Sequence, residues 1–356
     1  METDYHKRFI RSGLLRVVWA AGCLVLLQGC TAADGPDEMP EPAVRVELDV
    51  LPGQSKALGD AAYSVNRLLL LPFKKIDEAG ADDAANFAPV YASARQIDVN
   101  SFTAYALIHN LDRTSTYRMA VIGYTRTDYN YNPSDPAAIT GNFSIGAAST
   151  PVTLAGFHVK PASAVSVPEF FTCVCTAYGA GDAAIGQSFS PQNVKTLKGT
   201  LQRLVSGVSL KITGIPAYVK SVTLSAEQLV QASAIAPAIP SDTAGRPTVW
   251  QTAGDANNKV LATVAPDAGG TLTVEKLLLP TFSTRKTRLL MQVFYGSTSE
   301  TYVVKVQDVA GVSADNYLVF RPNRVVRITG SYGNIGLGFL LQAAINLDDN
   351  AWDGLQ

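Results

Sequence analysis

The sequence predicts an all-β protein: two tandem β-sandwich domains behind a lipoprotein signal peptide. Charged residues make up 17% of the chain, below the usual quarter or so, and Val, Leu, Thr and Tyr are plentiful. Short segments alternate apolar and polar residues, and Gly, Pro, Asn and Asp separate them at the spacing of sandwich strands. With 356 residues, the chain exceeds one ordinary domain and suits two.

The leader comes first. Lys7, Arg8, Arg11 and Arg16 introduce an apolar run from Val17 to Leu27. That run falls well short of the roughly 20 residues that span a bilayer, so residues 1–29 read as an export signal. It ends in Leu27-Gln28-Gly29-Cys30, the pattern of a bacterial lipobox. A thioether forms on the Cys30 sulfur, and only a small residue such as Gly29 is tolerated beside the cut. A chance match within an ordinary signal is the bland alternative, and the position where the apolar run stops speaks against it. Each buried CH₂ of an acyl chain contributes about 0.8 kcal/mol, and two chains suffice for stable anchoring. The expected location is therefore the outer membrane, with the protein exposed at the cell surface.

Removing residues 1–29 takes away four of 29 basic and two of 30 acidic side chains, leaving a net charge of −3. No basic excess is present to hold nucleic acid through its phosphates. Residues 30–42 carry Asp34, Asp37, Glu38 and Glu41 among Gly and Pro, a lipidated acidic tether that cannot fold alone. Acidic residues soon after the Cys resemble a surface-export signal; a plain linker is the other reading.

The first domain is expected over residues 43–195. Val44, Val46, Leu48 and Val50 alternate with Arg45, Glu47 and Asp49, giving a strand with one apolar face. Val65–Phe73 is apolar on both faces, as a central strand is. Ser101–Ile108, Tyr117–Tyr124 and Phe170–Tyr178 follow as strands, and Asp82–Gln96 has a faint helical pattern. A polar stretch over Gly186–Lys198 divides the chain. The second domain, 196–356, holds strands at Leu204–Ile212, Tyr218–Leu224, Val260–Val264, Thr271–Leu279, Arg288–Phe294, Thr301–Val306 and Val325–Thr329. Ser225–Ala234 is weakly helical, and the two halves show no obvious alignment with each other.

The last strand stands out. Leu337, Phe339, Leu341, Ala343, Ile345 and Leu347 fill six alternate positions with apolar side chains. Such a one-sided strand needs a hydrophobic groove and is an aggregation hazard if exposed. The groove belongs either to its own domain or, by strand addition, to another subunit.

Little here is built for chemistry. Cys173 and Cys175 in C-V-C share a strand face, a poor disulfide or metal geometry that reads as free thiols. His109 and His158 lack Cys or carboxylates at ligand spacing. The acidic pairs Asp82-Asp83 and Asp348-Asp349 lie in a loop and at a strand end. No nucleotide loop or nucleophile turn is present. The expectation is a non-enzyme without metal or cofactor. Tyr124, Tyr129 and Tyr131, with Arg126, form an aromatic loop that either stacks on sugars or is only a tyrosine-rich edge.

The chain resembles the FimB-type, fimbrillin-associated anchor and minor-subunit lipoproteins of type V pili. The likeness rests on the lipobox and acidic tether, the apolar strand Val65–Phe73, and the stretch Leu204–Ile212 leading through Gly214-Ile215-Pro216-Ala217 to Leu224. Leu278–Phe282, the turn Phe320–Arg324, Ile328-Thr329-Gly330 and Trp352 complete it. The resemblance implies two transthyretin-like, Greek-key sandwiches and a role in building or anchoring a surface fibre, with pilin subunits as partners. In polymerising members a protease cuts after an Arg and a neighbour's C-terminal strand replaces the first strand; anchor members keep strand and lipid. Arg45 and Arg67 are the Arg positions where such a cut is conceivable here. A surface glycan-binding lipoprotein and a tip adhesin of the same fibre are the competing readings.

Overall fold

In the computed structural model the described residues are 43–50, 65–99, 104–134, 141–147, 153–235, 249–250, 259–281, 287–307, 316–335 and 339–346. Gly29, Cys30, the tether, Leu337 and Leu347 lie outside them. The described chain is all-β, with short 3₁₀ turns and no α-helix.

The first half begins with β1 (Val44–Val50), β2 (Arg67–Lys75), β3 (Phe87–Pro89), β4 (Arg95–Asp98), β5 (Ala104–Ile108) and β6 (Tyr117–Tyr124). It continues through β7 (Phe143–Ala147), β8 (Phe157–Pro161), β9 (Phe171–Val174), β10 (Thr176–Tyr178), β11 (Ala184–Gly186) and β12 (Thr196–Arg203). Strand β1 sits between β5, antiparallel, and β12, parallel. Strand β2 sits between β4 and β6, and β9 follows β6. The bent β9–β10 segment pairs with β12 at both ends and so joins the two layers.

Those layers enclose a core that includes Val44, Val46, Leu48, Leu68, Leu70, Met119, Val121 and Leu197. Leu69, Leu71 and Phe73, on the opposite face of β2, pack in a second core with Phe143 and Ile145 of β7 and Phe157 and Val159 of β8. Strand β2 is thus a middle layer, which is why Leu68, Leu69, Leu70 and Leu71 are all fully buried.

The second half starts with β13 (Ser206–Thr213), β14 (Ser221–Glu227), β15 (Ala232–Ala234), β16 (Val249–Trp250), β17 (Lys259–Val264) and β18 (Leu272–Leu278). After them come β19 (Thr287–Phe294), β20 (Ser299–Val303), β21 (Val306–Gln307), β22 (Tyr317–Leu318), β23 (Arg324–Ser331) and β24 (Phe339–Asn346). The strand scheme of the first half recurs. Strand β13 lies between β18, antiparallel, and β23, parallel, while β14 lies between β17 and β19. Its core gathers Val208, Leu210, Leu224, Met291, Phe320 and Ile328. Strands β15 and β16 extend the β7–β8 sheet instead, with Ser233 opposite Val159.

The sequence reading and the structure part at three places. Asp82–Gln96 is not a helix. Asp83 caps one 3₁₀ turn, after which Phe87–Pro89 pairs with β2. Ser225–Ala234 continues β14 to Glu227, and the segment turns at Gln228, where φ is 56°. Thr196–Arg203, taken as the opening of the second domain, hydrogen-bonds into the first half. The chain changes sheets at Leu204-Val205, two residues before β13 begins.

Candidate assembly surfaces

The first strand is built into the interior. Val44, Val46 and Leu48 are fully buried, and partners run from Arg45–Thr196 to Val50–Leu201 on one edge and from Val44–Ile108 to Leu48–Ala104 on the other. Pulling β1 out would unpair two strands and expose an apolar stripe. Arg45 points outward and pairs with Glu47 at 2.9 Å. Arg67 opens β2 and grips Asp98 with two bonds, Nε to Oδ1 at 2.6 Å and a terminal nitrogen to Oδ2 at 3.1 Å. That pairing holds the Asp98 carboxyl below the usual carboxylate range. Both arginines therefore sit in paired backbone, where a protease cannot seat an extended substrate without local opening.

At the other end of the chain, the backbone of Phe339–Asn346 pairs antiparallel with β23, from Arg324–Asn346 to Thr329–Leu340. Its first residues also pair in parallel with β21, Val306 to Phe339 and Gln307 to Leu340. In the first half the corresponding last strand, β12, pairs directly with β10. Strand β24 therefore occupies a position between β23 and β21 that has no counterpart beside β12. Along residues 341–346, β23 is its sole strand partner among the described residues.

Cys173 and Cys175 are free and buried in the first core. Their sulfurs face Gly199 of β12, where an added Cβ would lie 2.9 Å from each of them and from Leu48 Cδ2. Contact with Cys173, together with burial, pushes the Cys175 thiol up, away from the reactive thiolate.

The remaining sequence candidates have structural settings. His109 is exposed. His158 is 7% exposed, its Nδ1 lies 3.1 Å from the Gly156 carbonyl, and burial lowers its pKa. Asp82 accepts from Ser188 Oγ at 2.7 Å, and Asp83 accepts the Ala85 and Asn86 N–H groups of its turn. Asp348 and Asp349 lie outside the described residues. The Tyr124–Tyr131 loop turns inward. Tyr124 and Tyr129 are buried against Phe143 and Phe170, and the Tyr131 hydroxyl donates to the Tyr91 carbonyl. Tyr124 and Tyr129 thus belong to the core, and Tyr131 packs half-buried against it.

A different tyrosine cluster escapes the sequence because four separate segments supply it. Tyr218 follows β13, Tyr295 follows β19, Glu300 and Tyr302 lie on β20, and Tyr332 follows β23. The Tyr218 and Tyr295 rings are 6.0 Å apart and tilted by 43°. The hydroxyls of Tyr295 and Tyr332 are 3.1 Å apart, and Glu300 Oε2 accepts from Tyr295 at 3.2 Å and from Tyr302. Desolvation pushes Tyr295 up to about 12 and raises Tyr332 as well, while the bond to Glu300 raises Tyr302.

No family model matches the sequence, and no curated protein matches it. Among solved structures, the chain is similar to the fimbrial anchor protein Mfa2 from Porphyromonas gingivalis, at 11% identity over 85% of this chain and 96% of that one, with a TM-score of 0.42. It is similar to a candidate cell adhesion protein from Bacteroides ovatus, at 10% identity, the same coverages and a TM-score of 0.42. A fimbrial assembly protein from Parabacteroides distasonis is similar at 11% identity over 81% and 91% of the two chains, with a TM-score of 0.38.

Proposed function

We propose that this chain is a surface lipoprotein of a fimbrial system, an anchoring or accessory subunit held in the outer membrane by acyl chains on Cys30. Its partners are pilin subunits, engaged by strand pairing, and the membrane, engaged through lipid. The observation that carries the reading is continuity between the lipobox and an interior strand. The tether after Cys30 runs directly into β1, which is paired within the chain along both edges. A lipidated subunit that keeps its first strand is what the sequence resemblance gives for an anchor. The recurrent scheme, a first strand parallel to the last strand of its half, supports two tandem transthyretin-like domains meeting near Leu204-Val205.

Mass spectrometry of the mature protein tests it. The expected N-terminus is Cys30 carrying acyl chains, and Cys30→Ala should move the protein out of the membrane fraction together with any co-purifying pilin. An unmodified Cys30, or a Cys30→Ala variant that stays in the outer membrane, overturns the reading.

A further inference from the structure

We infer that Tyr218, Tyr295, Tyr302, Tyr332 and Glu300 form a binding site for a neutral pyranose sugar, at the end of the second half opposite its junction with the first. Position comes first. Strand β1 starts where the tether ends, and β12 runs parallel to it from Thr196 to the junction after Arg203. Strand β13 leaves that junction at Ser206 and reaches Thr213 beside Ser331, so Tyr218 and Tyr332 lie at the opposite end of the second half.

The chemistry selects the ligand. The Tyr218 and Tyr295 rings pack against each other, 6.0 Å apart and inclined at 43°, and Tyr218 is 60% exposed, which leaves ring surface open to solvent. The C–H face of a pyranose ring stacks on such an aromatic surface. Hydroxyl groups then need polar partners close to the rings, and the phenols supply them in one connected chain. Tyr295 meets both the Tyr218 ring and the Tyr332 hydroxyl, and Tyr295 and Tyr302 both end on Glu300 Oε2. Glu300 Oε1 has no protein partner among the described residues, so one carboxylate oxygen remains to accept from a sugar hydroxyl. A carboxylate in the network disfavours acidic sugars.

A protein partner fits less well. Five large hydrophobic side chains are conspicuously exposed among the described residues: Ile76, Leu107, Ile185, Tyr218 and Val260. Only Tyr218 lies at this end. A protein interface there would lack the apolar centre such contacts use, whereas a sugar needs only ring faces and hydrogen bonds.

The test is affinity electrophoresis of the full chain through gels containing galactomannan, mannan or a glucan, backed by an array of neutral glycans, with polygalacturonate as the charged control. The expected result is retardation by at least one neutral glycan and none by polygalacturonate. Tyr218→Ala should weaken that binding about tenfold, the effect of losing one stacking ring, and Glu300→Gln should weaken it too. Tyr218 is exposed, so its removal leaves the fold intact, and a matching thermal midpoint verifies this. Absence of binding to every neutral glycan, or unchanged binding in folded Tyr218→Ala, overturns the site. So does capture of a pilin through Tyr218 without any glycan binding.

Discussion

Arg203 and Asn323 are joined across the seam between the two halves. A terminal nitrogen of the Arg203 guanidinium donates to Asn323 Oδ1 at 2.9 Å, and Nε donates to Glu169 Oε1 at 2.6 Å. Arg203 is only 2% exposed, and its guanidinium lies 5.2 Å from the centre of the Phe171 ring. Asn323 has a φ of 54° and donates its N–H to the Val205 carbonyl at 2.8 Å. Asparagine tolerates that left-handed backbone better than most residues, so one residue holds the turn through its backbone and satisfies a buried cation through its side chain.

Removing the cation alone should be costly. Arg203→Met leaves the Glu169 carboxylate largely buried without its partner, and the expected loss is about 3–5 kcal/mol in urea unfolding. Adding Glu169→Leu should recover most of it, because the uncompensated charge disappears. A single variant within about 1 kcal/mol of the parent would mean that water reaches the pair.

Gly199→Ala tests the packing beneath β1. The new methyl would stand 2.9 Å from both cysteine sulfurs and from Leu48 Cδ2. The expected destabilisation is about 1–3 kcal/mol. Converting Cys173 and Cys175 to Ala in the same protein should relieve part of it, a coupling that a double-mutant cycle measures.

Trypsin reports whether β1 is held. Peptide mapping of the folded protein should show no cut after Arg45 or Arg67. Val46→Asp places a carboxylate at a fully buried position, should cost more than about 3 kcal/mol, and should open the bond after Arg45. Equal cutting after Arg45 in both proteins would show that the strand is not retained.

His158 gives the fold a pH dependence of known sign. Burial holds its pKa below the ordinary value, so the unfolded chain takes up the proton first. The stability contribution is complete above the unfolded value near 6.5, falls as pH drops through it, and levels off below the folded value. Thermal midpoints of the parent should decline across that window. A His158→Gln variant should show a flatter profile.

Much of the strand content is legible from alternation. Tyr117–Tyr124 has the same bounds in sequence and structure, and the two-faced apolar run at Leu68–Leu71 marks the middle layer correctly. Strand β12 is hidden because Gly199 and Arg203 take inward positions where an apolar residue would have signalled a strand. Gly199 is required by two sulfurs, and Arg203 is sustained by Glu169 and Asn323. Asp82–Gln96 is rich in Ala, whose helix propensity loses to pairing of Phe87 with Lys75 in β2. The tyrosines divide the same way. Tyr124 and Tyr129 are close in sequence and turn inward, whereas Tyr218, Tyr295, Tyr302 and Tyr332 are scattered and meet only in three dimensions. Composition does not encode which way a loop faces.

The parallel pairing of β1 with β12 sets the order in which the first half can mature. Arg45 and Thr196 are register partners although about 150 residues of chain separate them, and such distant closure is slow. In N-to-C order of emergence, β1 comes first yet finds its last neighbour only once Arg203 has followed. Until then Val44, Val46 and Leu48, fully buried in the finished fold, lack one wall of their core. The interval before β12 closes the sheet is therefore when this half is most open to wrong association.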